Sequence, residues 1–232
     1  AKLSSLGPTG RAVGVGSSRN RFDRMGAQTM SAEDENATHA EEMKKVQAAH
    51  REKMSEKKEA DRGLFLILTG DGKGKSSSAF GSIIRALGWG HSVGVVQYVK
   101  GNWKTGERQF FQKYPDLVTW HTMGQGFTWD TQDRDKDVEA ARAAWDVSAK
   151  MLASGEYDLV VLDELNIVLR YDYLPVEEVL AGLMNRHPRT SVMVTGRDAK
   201  EELRAEADLI TEMTPIKHPF ESGIKAKRGI DY

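Results

Sequence analysis

A glycine-rich stretch with two lysines and two serines is the part of the sequence best suited to chemistry. Residues 69–77 read Thr-Gly-Asp-Gly-Lys-Gly-Lys-Ser-Ser and follow five apolar residues at 64–68. Glycines allow a tight turn whose amides approach phosphate oxygens, because no Cβ stands in the way. Lys75 adds a positive charge, and Ser76 offers a hydroxyl to Mg²⁺. The pattern indicates a P-loop, a backbone cradle for the phosphates of a nucleotide.

One residue of this loop departs from the common pattern G-x-x-x-x-G-K-[ST]. Thr69 stands where that pattern has its first glycine. A glycine-rich surface turn that binds nothing is the alternative, but the apolar run before the loop and the helical pattern after it favour a P-loop. The residues expected to bind the phosphates of a nucleotide are Thr69, Gly70, Asp71, Gly72, Lys73, Gly74, Lys75, Ser76 and Ser77.

The second motif is an acidic pair at the end of an apolar run. Leu-Val-Val-Leu at 159–162 precedes Asp163 and Glu164. Ligands bind beyond the carboxyl ends of parallel strands, so a carboxylate here can reach a Mg²⁺ held at the P-loop. Alone the pattern is weak, since an acid often simply ends a strand. A glutamate at this position often polarises water in hydrolases, so the pair by itself suggests an ATPase.

Two predicted loops leave alternatives open. Gly-Gln-Gly-Phe-Thr-Trp at 124–129 places Phe127 and Trp129 after a predicted strand. Their rings either fill the core from the loop or form a flat apolar wall for a large planar ligand. The loop at 100–108 carries lysines and an arginine that either meet anionic phosphate or are simply solvated.

Apolar runs alternate with helical patterns from residue 63 onward. Strands are predicted at 64–68, 92–99, 117–121, 159–162 and 191–195, with a further apolar run at 208–213. Helices are predicted after the P-loop, after Asp133 as N-cap, at Pro175 and near 200–205. This alternation predicts an α/β fold of the P-loop NTPase type, with a mostly parallel sheet and helices on both faces.

The first 62 residues differ from the rest. Residues 1–29 hold five basic side chains against one acidic and few large apolar ones, which predicts disorder. They lack the amphipathic pattern of a transit peptide, so we interpret them as a nonconserved or added segment. Residues 31–62 predict a helix with a thin apolar stripe, either solvated or a mobile cover over the site. The chain is thus divided into an extension (1–30), a helix (31–62) and a domain (63–232).

Composition excludes several kinds of chemistry. Cysteine is absent, which removes disulfides, thiolate catalysis and Fe–S ligation and fits a reducing compartment. The net charge of −1 gives no overall attraction to nucleic acid, and no apolar run approaches the ~20 residues that span a bilayer. The six histidines show no metal-ligand spacing. We therefore expect neither nucleic acid nor a membrane as a partner.

Together these motifs resemble the P-loop type of ATP:corrinoid adenosyltransferase, a family that adenosylates cob(I)alamin and its precursors. The likeness covers residues 31–232 in order, and its most specific segments are Gly126-Phe-Thr-Trp-Asp-Thr-Gln132 and the tail Gly229-Ile-Asp-Tyr232. Further matching segments lie at 69–77, 95–101, 160–165, 171–175, 194–197 and 217–220. The sequence departs from the family where Asp71 replaces a common asparagine and serines at 76–77 replace Thr-Thr.

The resemblance implies that Co(I) of the corrinoid attacks the 5′ carbon of ATP and expels triphosphate. The nucleophile belongs to the substrate, so no general base is required. The protein must neutralise a highly charged leaving group, which is implied to be the work of the loop amides, Lys73, Lys75 and Mg²⁺. On the metal side the resemblance implies Ser76 and Glu164, with Asp163 as the second choice.

By the same likeness, Phe127 and Trp129 press on the lower face of the corrin and exclude its axial ligand, which eases reduction to Co(I). The helix at 31–62 would cover the site. The implied partners are ATP, a reduced corrinoid and an electron-donating reductase, for a homodimeric cytoplasmic enzyme of cobalamin biosynthesis. Two alternatives are a P-loop kinase or ATPase, and a nucleotide-dependent protein that delivers corrinoid without chemistry.

Overall fold

A computed structural model describes residues 32–58, 60–99, 104–123 and 133–231. The helices are α1 (Ala32–Ser55), α2 (Lys75–Gly88), α3 (Gly106–Phe111), α4 (Arg134–Ser154), α5 (Leu165–Arg170), α6 (Val176–Met184) and α7 (Glu201–Glu206). The strands are β1 (Phe65–Thr69), β2 (Val93–Gln97), β3 (Val118–Thr122), β4 (Leu159–Asp163), β5 (Ser191–Thr195) and β6 (Leu209–Glu212). A 3₁₀ turn spans Pro219–Ser222 in the C-terminal segment.

The strands form one parallel sheet in the order β3-β2-β4-β5-β1-β6. Val95 of β2 lies opposite Val161 of β4, and Ile67 of β1 lies opposite Val194 of β5. Because every adjacent pair is parallel, the carboxyl ends of all the strands meet at one edge. β5 lies between β1 and β4, so the loop after β5 emerges between the P-loop and Glu164.

Alternate strand residues lie on opposite faces of the sheet. Ile67, Leu162 and Val194 are buried on one face, in a core completed by α4, α5, α6 and α7. Leu68 and Val161 are buried on the other face, together with α2 and α3. Helices thus cover both faces, and the predicted α/β fold with a parallel sheet and a P-loop after its first strand is confirmed.

Several local predictions are also confirmed. Asp133 is the N-cap of α4, where its side chain accepts a hydrogen bond from the backbone N–H of Lys136 at 3.3 Å. β5 spans the predicted residues, Ser191–Thr195. Pro175 stands directly before α6 as its N-cap, and the apolar run at 208–213 contains β6.

Contacts within the chain divide it into two units, with a boundary after Lys58. The first unit contains the predicted helix as α1, where the side chains of Glu41 and Lys45 form an i,i+4 ion pair at 3.8 Å. Its described side chains are all exposed, Met43 among them. That this helix covers the site stays a prediction, and the extension at 1–30 lies outside the described residues. Within the described ranges, no helix is long and apolar enough to cross a bilayer.

Candidate active site

The P-loop lies against the backbone that follows β6. Gly70 has a φ of 90° and Gly74 a φ of 113°, in the left-handed region where glycine is favoured. A Cβ on Gly70 would lie 2.5 Å from the carbonyl oxygen of Met213, and one on Gly72 would lie 2.8 Å from it. The N–H of Gly72 donates to that same oxygen at 2.7 Å. The glycines therefore set both the turn and its close packing on the sheet edge.

The side chain of Lys75 is buried within the P-loop. The residue is 8% exposed, and its Nζ donates to the carbonyl oxygens of Gly70 at 2.8 Å and Gly72 at 2.7 Å. Burial lowers the pKa of Lys75, and the carboxylate of Glu164 opposes that shift. The ammonium is thus pre-positioned at the N-terminus of α2, where backbone N–H groups favour anions.

A cavity of 370 Å³ opens at this edge of the sheet, within the size range of small-molecule sites. The P-loop forms one side of it, and Glu164 and Arg197 lie on its wall. The described residues that line the cavity are Asp71, Gly72, Lys73, Gly74, Lys75, Ser76, Ser77, Val99, Glu107, Glu164, Ile167, Arg170, Tyr171, Arg197 and Asp231. The P-loop, its serines and Glu164 therefore share one cavity, whereas Thr69 and Gly70 line a second pocket.

The two acids of the second motif have different surroundings. Asp163 is fully buried behind the cavity, where its Oδ1 accepts from the hydroxyl of Thr195 at 2.8 Å and its Oδ2 from Nε2 of Gln97 at 2.9 Å. Glu164 lines the cavity and has a left-handed backbone, with φ 66°. Such a conformation costs about 1–3 kcal/mol. The N–H of Glu164 donates to Thr195 Oγ1 at 3.0 Å, which holds it there.

The oxygen donors on the cavity wall suit a hard cation. Ser76 supplies a hydroxyl and Glu164 a carboxylate, and Mg²⁺ typically binds through one or two carboxylates together with phosphates and water. The described residues contain no group of three acidic or histidine side chains that could hold a metal by themselves. The donor set therefore fits a Mg²⁺ that arrives with a nucleotide.

Substitutions at the acidic pair are expected to separate a structural role from a metal-binding role. Asp163→Ala is expected to destabilise the protein by about 2–4 kcal/mol, because Gln97 and Thr195 lose a buried acceptor. Glu164→Gln keeps the size of the side chain, so it is expected to change stability less than Asp163→Ala does and to raise the Mg²⁺ concentration needed for ATP binding. Urea denaturation and Mg²⁺ titrations measure the two effects. An unchanged Mg²⁺ requirement in Glu164→Gln would contradict its place beside the metal.

Arg197 is a cavity residue to which the sequence motifs assigned no role. It lies just after β5, its Nε is 3.7 Å from Oδ1 of Asp71, and its Nη2 donates to the backbone oxygen of Asp71 at 3.4 Å. Both side chains are largely exposed, so this ion pair contributes little to stability. Its charge nevertheless faces the P-loop. The rule that ligands bind beyond strand ends, applied to β5, would have identified it.

Two ion pairs involve residues that line the cavity or the second pocket. Arg170, at the end of α5, pairs with Asp198 at 2.9 Å, and Lys200 pairs with Asp172 at 2.8 Å. Asp172 and Asp198 both have left-handed backbones, with φ of 52° and 53°. These contacts tie the chain after α5 to the chain after β5. They position Arg170 and its neighbours on the cavity wall.

The remaining predicted residues have different outcomes. Phe127 and Trp129 lie outside the described residues, as do residues 100–103. The basic segment predicted as a loop at 100–108 is helical from Gly106, because Thr105 caps α3 by accepting from the N–H of Arg108 at 3.4 Å.

A family model described as "ATP:corrinoid adenosyltransferase BtuR/CobO/CobP" matches residues 61–232. The "Corrinoid adenosyltransferase" of Pseudomonas aeruginosa is 48% identical over 194 residues, which cover 84% of this chain and 95% of that protein. The protein of the same name from Sinorhizobium sp is 47% identical over 203 residues, 87% of this chain and 94% of that one. Among solved structures, the flagellar accessory protein FlaH from Methanocaldococcus jannaschii matches with a TM-score of 0.42 and 14% identity, over 65% of this chain and 71% of that chain.

Proposed function

The chain belongs to the ATP:corrinoid adenosyltransferase family, and from this membership we propose that it transfers the 5′-deoxyadenosyl group of ATP to Co(I) of a corrinoid. In this step the electron pair of Co(I) forms a Co–C bond to the 5′ carbon. The bond from that carbon to oxygen breaks, and its electrons leave on triphosphate. Family membership carries the proposal, and the cavity that the P-loop, Ser76 and Glu164 share supports its phosphate side.

Residues of the P-loop stabilise the leaving group. Lys75 is already oriented by two carbonyls of the loop, so little reorganisation is needed when negative charge develops on the phosphates. Lys73 and Arg197 add positive charge from the same cavity. Ser76 and Glu164 would hold a Mg²⁺ that arrives with the nucleotide, and its charge would help to neutralise the phosphates. Asp163 acts indirectly, because it fixes Thr195, which in turn holds the backbone of Glu164.

The corrin side of the proposal rests on the family resemblance. Phe127 and Trp129 are proposed to lie against the lower face of the corrin and to exclude the axial ligand, so that a reductase can deliver an electron to Co(II). The N-terminal helix, α1, is proposed to cover the bound substrates. We place the reaction in the cytoplasm, with a homodimer as the working unit.

Product analysis tests the proposed reaction. The protein is incubated with ATP, Mg²⁺ and a chemically reduced corrinoid, and the phosphorus products are followed by ³¹P NMR while absorbance follows the corrinoid. Triphosphate and a corrinoid with a Co–C bond are expected in equal amounts, and a reaction without corrinoid is expected to release no triphosphate. ADP or orthophosphate as the product would indicate a kinase or ATPase instead. ATP-dependent corrinoid binding without turnover would indicate a delivery protein.

A further inference from the structure

The C-terminal segment brings a carboxylate to the phosphate cradle. Asp231 lines the same cavity as the P-loop, and its Oδ1 accepts a hydrogen bond from Nζ of Lys73, a residue 158 positions earlier in the chain. The Asp231 side chain is 16% exposed and that of Lys73 is 52% exposed. An acid that pairs with a lysine of the P-loop, and is not placed beside the proposed metal, repels the phosphates that the site is proposed to hold.

A tight turn directs this carboxylate. Oδ2 of Asp231 accepts from the N–H of Lys227 at 2.7 Å, and its own N–H donates to the oxygen of Lys227 at 2.8 Å. Gly229, within the turn, has a φ of 81°. The backbone hydrogen bond from Lys227, and next Lys73, lower the pKa of Asp231, so the group carries its charge at neutral pH. One oxygen therefore holds the turn while the other binds Lys73.

Each of the cradle's cations has a partner within the protein, but the partners differ in how firmly they are fixed. Lys75 donates to carbonyls of its own loop, and Arg197 pairs with Asp71 of that loop. Asp231 belongs instead to a segment whose side chains are mostly exposed from Pro215 onward. Exposed segments with few buried contacts open at low cost. Asp231 is thus a partner that can leave together with its segment.

We propose that Asp231 is an internal counter-anion, which competes with a triphosphate group for Lys73. This inference rests on the proposed function, in which triphosphate is the product. When triphosphate binds, the ion pair of Lys73 with Asp231 is exchanged for one between Lys73 and a phosphate oxygen, and no covalent bond changes. When the product leaves, Asp231 returns to Lys73. A leaving group held by several cations is thereby released faster than the cations alone would permit.

The test is the affinity for inorganic triphosphate, measured by titration calorimetry with Mg²⁺ on the full chain. Asp231→Asn is expected to bind it about three- to tenfold more tightly, since an ion pair whose lysine is half-exposed no longer competes. Its dissociation rate, followed by stopped-flow, is expected to fall by a similar factor. Glu221→Gln, a matched change on the same segment away from the cavity, is expected to leave both values unchanged. Weaker or unchanged binding in Asp231→Asn would overturn the proposal.

A variant that lacks the Lys73 charge shows whether Asp231 affects triphosphate binding through Lys73. In Lys73→Met, which keeps an aliphatic stem without the charge, adding Asp231→Asn is expected to leave the affinity for triphosphate unchanged. A gain that persists there overturns competition for Lys73. Thermal unfolding of each variant shows that the fold is intact. The outcome is separate from that of the reaction itself, because inorganic triphosphate is expected to bind at the P-loop whether the product proves to be triphosphate or ADP.

Discussion

Replacing Lys75 by alanine is expected to weaken ATP binding by about a hundred- to a thousandfold and to reduce adenosyl transfer to background. The ammonium is buried in the loop and fixed by two carbonyl oxygens, so its charge acts on the phosphates with little loss to solvent. At an effective dielectric constant of about 20, two unit charges about 4 Å apart interact by about 4 kcal/mol. Losing about 3–4 kcal/mol of binding gives the stated range. Titration calorimetry with MgATP measures it.

Two further variants test whether the loss of ATP binding is due to the charge of Lys75. Lys75→Met keeps most of the buried stem and is expected to match alanine in ATP affinity while unfolding at a temperature close to that of the parent. Lys113→Ala removes an exposed lysine beyond α3 and is expected to change nothing. ATP affinity that survives in both Lys75 variants would show that the loop does not bind phosphates as proposed.

Elements with long or local sequence signals were predictable. β5 begins and ends where its apolar run does, and the cap at Asp133 needs only the residues of one turn. The short helix α7 was predicted from its charged sequence, whereas the equally short helices α3 and α5 were not predicted. Fewer than two turns give no helical periodicity, and Thr105 and Glu164 precede them in segments that otherwise read as loops.

The order of the strands in the sheet and the contacts between distant residues could not be predicted from the sequence. Local pattern predicts parallel strands but not that β5 lies between β1 and β4, and this order is what places Arg197 beside the P-loop. The pairing of Lys73 with Asp231 has no periodic signal either. The family resemblance identified the C-terminal residues 229–232 as specific to the family but assigned no function to them.

The different surroundings of Asp163 and Glu164 also required the structure. Asp163 is the last residue of β4, so its side chain lies on one face of the sheet. The left-handed backbone at Glu164 ends this alternation of faces. Thr195, the last residue of β5, stabilises both arrangements through one hydroxyl, which donates to Asp163 and accepts from the N–H of Glu164. The family resemblance ranked Glu164 before Asp163 as a metal ligand, whereas the structure shows that the two acids have different neighbours.

Replacing both Phe127 and Trp129 by alanine is expected to leave ATP binding unchanged but to slow adenosylation of a Co(II) corrinoid by about a hundredfold under mild reductant. That factor corresponds to about 3 kcal/mol of transition-state stabilisation. If the two rings cover the lower face of the corrin, their loss admits water to the axial position and makes Co(II) harder to reduce. Initial rates of Co–C bond formation, followed by absorbance, measure the effect.

The reductant distinguishes this role from simple packing. If the rings act on the reduction step, supplying Co(I) directly with a strong reductant is expected to restore most of the rate to the double variant, because the impaired step is bypassed. Trp89→Ala removes an aromatic ring that is 79% exposed at the end of α2 and is expected to behave like the parent protein under both conditions. If the rings instead fill the core, the double variant unfolds at a lower temperature, and a strong reductant does not restore its activity. Full activity under mild reductant would likewise remove them from the corrin site.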